Sequence, residues 1–107
     1  MIGRTEGIYE VVGMNIVREY FIFRGRVQGV GFRYAAKISA NMYGLTGWVR
    51  NRFDGSVEME LQGDRDTINR VVEDICSSRF IGVESIDRSP VPVIEDERRF
   101  RVRSSTG

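Results

Sequence analysis

Three glycines within seven residues, Gly25–Gly31, constrain the fold of this chain more than any other feature of its sequence. Glycine adopts positive φ at little cost, and neither a strand nor a helix tolerates such a density of it. The preceding residues 19–24 are aromatic and β-branched, which predicts a strand buried on both faces and therefore central. A helix is predicted to begin near Phe32. The chain must therefore turn from a strand into a helix through this segment, which we call the glycine loop.

Two amphipathic helices are predicted from the spacing of apolar side chains. The first begins near Phe32 and ends at Gly44. Its predicted buried face follows the spacing i, i+3, i+7 and consists of Ala35, Ile38 and Met42. The second helix follows Gly63, and either Asp64 or Asp66 is expected to cap its N-terminus. Its predicted apolar stripe consists of Ile68, Val71, Val72, Ile75 and Cys76.

The remaining strands complete a known order of elements. Residues 45–50 and 56–62 are predicted strands joined by a hairpin turn at Asp54-Gly55, and later strands are expected at residues 83–87 and 100–103. Alternation in the third strand predicts one buried and one solvated face. The side chains predicted on its solvated face are Glu58, Glu60 and Gln62. The order βαββαβ predicts an α+β, ferredoxin-like sandwich, an antiparallel sheet with two helices packed on one face.

The absence of histidine narrows the possible functions. The 107 residues include no histidine and one cysteine, Cys76, which excludes Ser-His-Asp and Cys-His hydrolases, disulfides and zinc clusters. Lys+Arg number 16 and Asp+Glu 15, so neither a nucleic acid nor a membrane is expected as a partner. An enzyme with this sequence must work without imidazole catalysis or a His-ligated metal.

The chain is predicted to contain one domain, residues 19–107, preceded by an extension, residues 1–18. The extension is expected to form either a short extra strand at residues 8–12 or a loose segment. A domain of this size buries enough surface to fold without a disulfide or metal. The sequence contains no apolar run of signal-peptide or membrane-span length, and a cytoplasmic location is expected.

The glycine loop also has the parts of an anion site. Successive backbone amides in such a loop can point into one concavity, and the following helix adds unpaired amides and the positive end of its dipole. Arg33, in the first helical turn, can donate two hydrogen bonds to phosphate oxygens. On spacing alone, a tight structural turn is equally consistent with the loop. Neither the Walker pattern nor the dinucleotide-binding pattern fits, the latter because position 34 is Tyr34.

Two motifs together resemble those of a known family. Residues 25–33, Gly-Arg-Val-Gln-Gly-Val-Gly-Phe-Arg, are similar to a signature of the acylphosphatases. Residues 47–51, Gly-Trp-Val-Arg-Asn, followed by Asp-Gly-Ser-Val-Glu at residues 54–58, resemble the second signature of that family, in the same order and at its separation. The resemblance extends over about residues 19–103 and is far more specific than the glycine spacing.

The resemblance implies an enzyme that hydrolyses acyl phosphates to carboxylate and inorganic phosphate, without metal, cofactor or covalent intermediate. Arg33 is similar to the arginine that binds the phosphate, and Asn51 to the asparagine that orients the attacking water. The backbone amides implied as the phosphate cradle belong to Arg26, Val27, Gln28, Gly29 and Val30. Inorganic phosphate is then expected as product and competitive inhibitor, and the protein as a monomer. A carboxylate leaves without protonation, which agrees with the missing histidine.

Other conspicuous residues have structural interpretations. Trp48 is expected to pack on the sheet and Cys76 in the core, while Gln28 either contacts substrate or makes a structural hydrogen bond. The arginines near the C-terminus are expected on a solvated face rather than in a basic patch; they are Arg98, Arg99, Arg101 and Arg103. Residues 77–82 lack the family's Gly-Pro turn, which leaves the start of the fourth strand open. The two rival functions are a ferredoxin-like module that binds RNA or protein and a phosphate-sensing accessory domain.

Overall fold

This computed structural model describes residues 15–105 of the chain. In these residues the glycine loop connects a long strand to the first of two helices. The predicted extra strand at residues 8–12 lies outside the described residues. The elements are, in chain order, β1 (Ile16–Arg26), α1 (Phe32–Met42), β2 (Thr46–Asn51), β3 (Val57–Asp64), α2 (Arg65–Cys76), β4 (Gly82–Val91) and β5 (Phe100–Val102). None of the described helices is long and apolar enough to cross a membrane.

The strands form one sheet in the order β4-β1-β3-β2-β5, which confirms the predicted ferredoxin-like fold and places β1 inside the sheet, between β4 and β3. All neighbours pair antiparallel except β2 and β5, which run parallel, with Gly47 opposite Phe100 and Val49 opposite Val102. The sheet is therefore mixed rather than purely antiparallel. The difference arises because the chain leaves β4 at one edge, crosses the sheet and adds β5 at the other edge.

The helices cover one face of the sheet, and α2 follows its predicted pattern. Its N-cap is Asp64, whose carboxylate accepts hydrogen bonds from the backbone amides of Asp66 and Thr67 at 3.1 and 3.3 Å. Its buried side chains are Ile68, Val71, Val72 and Ile75. The prediction of Cys76 as a core residue is wrong, because Cys76 is exposed in the last position of the helix.

The buried face of α1 differs from the predicted one. Ile38 and Met42 are exposed, at 44% and 68% of their accessible surface. The side chains that α1 buries are Phe32, Ala36, Ser39 and Ala40, and all of them except Phe32 are small. Small side chains bring a helix close to a sheet, so the apolar spacing of the larger residues indicated the wrong face.

The sheet face without helices is more buried than predicted. Glu58 and Gln62 of β3 are buried rather than solvated. The connection from β4 to β5 lies over this face, and Ile94 exchanges two backbone hydrogen bonds with the Gln62 side chain at 2.8 and 2.9 Å. Glu97 of the same connection accepts a hydrogen bond from the buried Arg18 at 2.7 Å. The alternation in β3 therefore assigned its side chains to the correct faces of the sheet. It did not indicate that another segment of the chain lies over the polar face.

Two carboxylates on this polar face have shifted ionisation. Burial opposes the charged form of Glu97, but hydrogen bonds from Arg18 and Thr46 outweigh it and lower the pKa of Glu97. Burial likewise opposes ionisation of Glu58, and hydrogen bonds from Tyr20 and Arg50 hold its pKa below the usual value. Burial and the bond to Glu58 raise the pKa of Tyr20 to about 12. The polar face is thus held together by ionised carboxylates.

We expect Glu97→Gln to make stability less dependent on pH in the acid range. A lowered folded-state pKa stabilises the fold above the unfolded value of about 4.3, and that contribution disappears as pH falls through the folded value. Urea unfolding should find Glu97→Gln about 2 kcal/mol less stable at neutral pH and nearly equal to wild type near pH 3. Glu95→Gln, an exposed control on the same connection, should follow the wild-type curve. Parallel curves for wild type and Glu97→Gln would contradict this assignment.

Candidate active site

The glycine loop turns the chain from β1 into α1, and all three of its glycines have positive φ. Gly29 has φ of 73° and Gly31 has φ of 82°. A side chain at either position would strain the backbone, so glycine is required here by conformation. Gly31 is also the N-cap of α1, and it has no side chain that could accept hydrogen bonds from the first amides of the helix.

The N-terminus of α1 therefore presents backbone amides without helical partners. The first bond into the helix runs from the amide of Ala35 to the carbonyl of Gly31, at 2.9 Å. The amides of residues 32–34 lie before that bond, and no side chain within residues 15–105 caps them. The first turn of α1 carries no acidic residue, whereas α2 has Asp64 as its cap. The free amides and the helix dipole give this end of α1 a positive potential suited to an anion.

Arg33 and Asn51 line one cavity in front of this helix end. The cavity has a volume of about 410 Å³. Its lining residues are Val27, Gly29, Gly31, Phe32, Arg33, Tyr34, Lys37, Asn51 and Val102. The described part of its wall contains two cations and no carboxylate, so an anion is the ligand class that its charge favours.

Asn51 reaches this cavity because of its position in β2. It is the last residue of the strand and lies two residues after Val49, which is fully buried beneath the helices. Side chains two residues apart share a sheet face, so Asn51 lies on the helix side, at the end where α1 begins. Its strand partner is Val57, which fixes the register of the β2–β3 hairpin at the site.

Gln28 ties the glycine loop to that hairpin. Its side-chain nitrogen donates to the carbonyls of Arg52 and Ser56, each at 2.7 Å. The hairpin turn is itself closed by Asp54, whose carboxylate accepts from the amide of Ser56 at 2.9 Å. The structure thus gives the Gln28 side chain a structural hydrogen bond, which holds the loop and Asn51 in fixed relative positions.

The predicted cradle residues divide into two groups. Val27 and Gly29 line the cavity, as Arg33 and Asn51 do. The side chain of Arg26 is exposed and donates to the carbonyl of Phe80 at 3.2 Å, and Val30 packs against the core. The side chains of Arg26, Gln28 and Val30 therefore lie outside the cavity lining, and the atoms that these residues offer to a ligand there are those of the backbone.

Lys37 and Val102 were not predicted as site residues, yet both line the cavity. Lys37 follows Arg33 by four residues, which places both on one side of α1. Its helical spacing from the first motif could have indicated this position. Val102 had no comparable indication, because only the pairing of β5 with β2 brings it to the site.

The described residues also contain no group of three or more His, Cys, Asp or Glu side chains arranged to hold a metal. The site instead combines backbone amides, an arginine and an asparagine around one cavity. Such groups bind an anion and orient a neutral molecule beside it.

The sequence matches a family model over nearly the whole described region. The model describes acylphosphatase and covers residues 19–102. The chain belongs to the acylphosphatase family. An acylphosphatase from Bifidobacterium longum is 42% identical over 91 residues, which span 83% of this chain and 94% of that protein. Family membership makes the chain a hydrolase that acts on acyl phosphates.

Solved structures share the fold of this chain. The crystal structure of an acylphosphatase from Bacillus subtilis matches with a TM-score of 0.75 and 36% identity, over 81% of this chain and 98% of that one. Full-length HypF, solved in a phosphate- and nucleotide-bound form, matches with a TM-score of 0.77 and 25% identity. That match covers 87% of this chain but only 12% of HypF, so the shared unit is one small part of a larger protein.

Proposed function

We propose that this chain hydrolyses acyl phosphates by holding the phosphoryl group in the glycine loop and directing a water molecule at it from Asn51. The observation that carries the proposal is the single cavity shared by Arg33, Asn51 and the uncapped N-terminus of α1. Each of these groups has a separate task, and the cavity brings the three together.

The first task is to bind the phosphoryl oxygens. Amides of the glycine loop and of residues 32–34 donate hydrogen bonds to them, and Arg33 adds a charge-assisted pair. Because phosphoryl transfer passes through a loose transition state with charge on the peripheral oxygens, fixed donors stabilise that state directly. The bond from Gln28 to the hairpin keeps the donors in place before substrate arrives.

The second task is to position water. The side chain of Asn51 holds one water molecule by hydrogen bonds, opposite the acyl oxygen. The water oxygen forms a bond to phosphorus as the bond between phosphorus and the acyl oxygen breaks. The electron pair of the broken bond leaves with the carboxylate. One water proton passes to a phosphoryl oxygen. The products are RCOO⁻ and H₂PO₄⁻ from RCOOPO₃²⁻ and H₂O, so atoms and charge balance.

The reaction needs little further chemistry. A carboxylate is a weak base and leaves without a general acid, so positioning and charge stabilisation supply most of the rate enhancement. The described residues that line the cavity include no thiol, imidazole or carboxylate. That lining supports direct attack by water, without a metal ion, cofactor or covalent intermediate. Inorganic phosphate is the product, and it is also a competitive inhibitor because it binds the same donors. We also propose that the protein is a monomer and is located in the cytoplasm.

A direct assay tests this function. The purified chain should hydrolyse benzoyl phosphate, with inorganic phosphate as a competitive inhibitor and with full activity retained in EDTA. Absence of turnover in a folded preparation would contradict the function. Loss of activity in EDTA with recovery on adding a divalent metal would instead contradict the metal-free mechanism.

A further inference from the structure

A groove continues from the phosphate cavity along the outer side of α1. Arg33, Lys37 and Asn41 follow one another at intervals of four residues, which places them in one row on the helix. Opposite this row, the edge strand β5 contributes Phe100 and Val102. We call this the α1–β5 groove and define it by Lys37, Asn41, Phe100 and Val102.

The groove opens into a second cavity of about 780 Å³ that adjoins the phosphate cavity. Lys37 and Val102 line both cavities, so they stand at the junction between them. A molecule bound at Arg33 can therefore extend past Lys37 without leaving the protein surface. Val102 is 44% exposed and gives that path an apolar floor.

The charge of this path is positive. Lys37 is exposed and forms no ion pair with a carboxylate within residues 15–105. The second cavity is also lined by Arg99, Arg101 and Arg103. Its one described carboxylate, Glu97, is bound to the buried Arg18 at 2.7 Å. An anion entering the groove meets an unneutralised ammonium group at the junction.

We infer that Lys37 and the α1–β5 groove form a second anion subsite, which selects acyl phosphates whose acyl group carries a carboxylate. This inference rests on the proposed function, because the phosphoryl group must occupy the glycine loop. Four residues of helix separate the two cationic positions by about 6 Å along the axis. A carboxylate at that distance from phosphorus belongs to a short dicarboxylic acid or a carboxylated aromatic acid, joined to phosphate at its other end.

The test compares two substrates of equal shape, 3-carboxybenzoyl phosphate and 3-carbamoylbenzoyl phosphate, which differ in charge and cannot cyclise. The wild-type chain should favour the carboxylate by about three- to tenfold in kcat/KM, mainly through KM. Added salt should reduce that preference because Lys37 is exposed. Lys37→Met should bring the ratio of the two kcat/KM values close to one, and Lys37→Glu should bring it below one.

A matched control separates this subsite from a general charge effect. Arg65→Met removes one exposed cation at the start of α2, away from the groove, and should leave the ratio at the wild-type value. A wild-type ratio near one, or an unchanged ratio in Lys37→Met, would overturn the subsite while hydrolysis of the carbamoyl compound still supports the proposed function. Failure to hydrolyse both compounds would overturn the subsite, and failure to hydrolyse benzoyl phosphate as well would overturn the proposed function.

Discussion

Arg33→Ala should lower kcat/KM for benzoyl phosphate by roughly 10³-fold, because the variant loses the main charged donor to the phosphoryl oxygens. Binding of inorganic phosphate should weaken in parallel, since the product accepts hydrogen bonds from the same guanidinium group. Arg33 lines the cavity at the helix end where backbone amides are already unpaired. The arginine and the amides therefore act on one group, and the amides alone cannot replace a full positive charge.

Two further variants identify the source of that loss. Arg33→Lys keeps the charge but not the planar fork, and it should recover only part of the activity. Arg65→Ala removes an exposed arginine at the start of α2 and should leave kcat/KM unchanged. Thermal unfolding of each variant shows whether the fold is intact. Wild-type turnover in a folded Arg33→Ala protein would contradict the assignment of the phosphate site.

Asn51→Ala should lower kcat by roughly 10²-fold while inorganic phosphate still binds, because misplacing a reactant costs about that much. Asn51 ends β2 on the helix side of the sheet, and the loop donors do not depend on its side chain. Turnover and phosphate affinity should therefore separate in this variant, whereas they fall together in Arg33→Ala.

Phosphate affinity is measured by calorimetric titration and turnover by steady-state kinetics, both on the same preparation of Asn51→Ala. Asn69→Ala is a suitable control, since Asn69 lies on α2 and its side-chain Oδ1 accepts a hydrogen bond from Arg88 at 2.8 Å. That variant should keep wild-type kcat and phosphate affinity. Loss of phosphate binding in a folded Asn51→Ala protein would mean that Asn51 holds the phosphate rather than the water.

Local patterns were sufficient where one short segment fixes the structure. The density of glycine at residues 25–31 predicted the turn between β1 and α1, and the turn is present with Gly29 and Gly31 at positive φ. The stripe of α2 as far as Ile75 and the Asp54-Gly55 hairpin were also predicted correctly. In each case the decisive contacts lie within a few residues of one another along the chain.

Local patterns failed where distant segments decide burial. The connection between β4 and β5 covers Gln62, and Tyr20 and Arg50 cover Glu58; no spacing within β3 could indicate either contact. Ile38 and Met42 have helical spacing, but the small side chains of Ala36 and Ala40 form the buried face instead. Cys76 lies at the end of its helix, beyond the part of the stripe that the sheet covers.

The cavity combines residues that the motifs indicate with residues that only tertiary contacts bring there. Arg33 and Asn51 came from a resemblance of two motifs, and the structure brings both to one cavity. Lys37 was missed because it stands outside both motifs, and Val102 because its position depends on the parallel pairing of β5. Residues that reach a site through tertiary contacts leave no mark in the spacing of a motif.

Amide NMR during a titration with inorganic phosphate shows directly whether the glycine loop is the phosphate site. We expect a saturable change with the largest shifts at the amides of residues 26–34, greatly weakened in Arg33→Ala. Shifts concentrated at residues 98–103, with the loop amides unmoved, would contradict it.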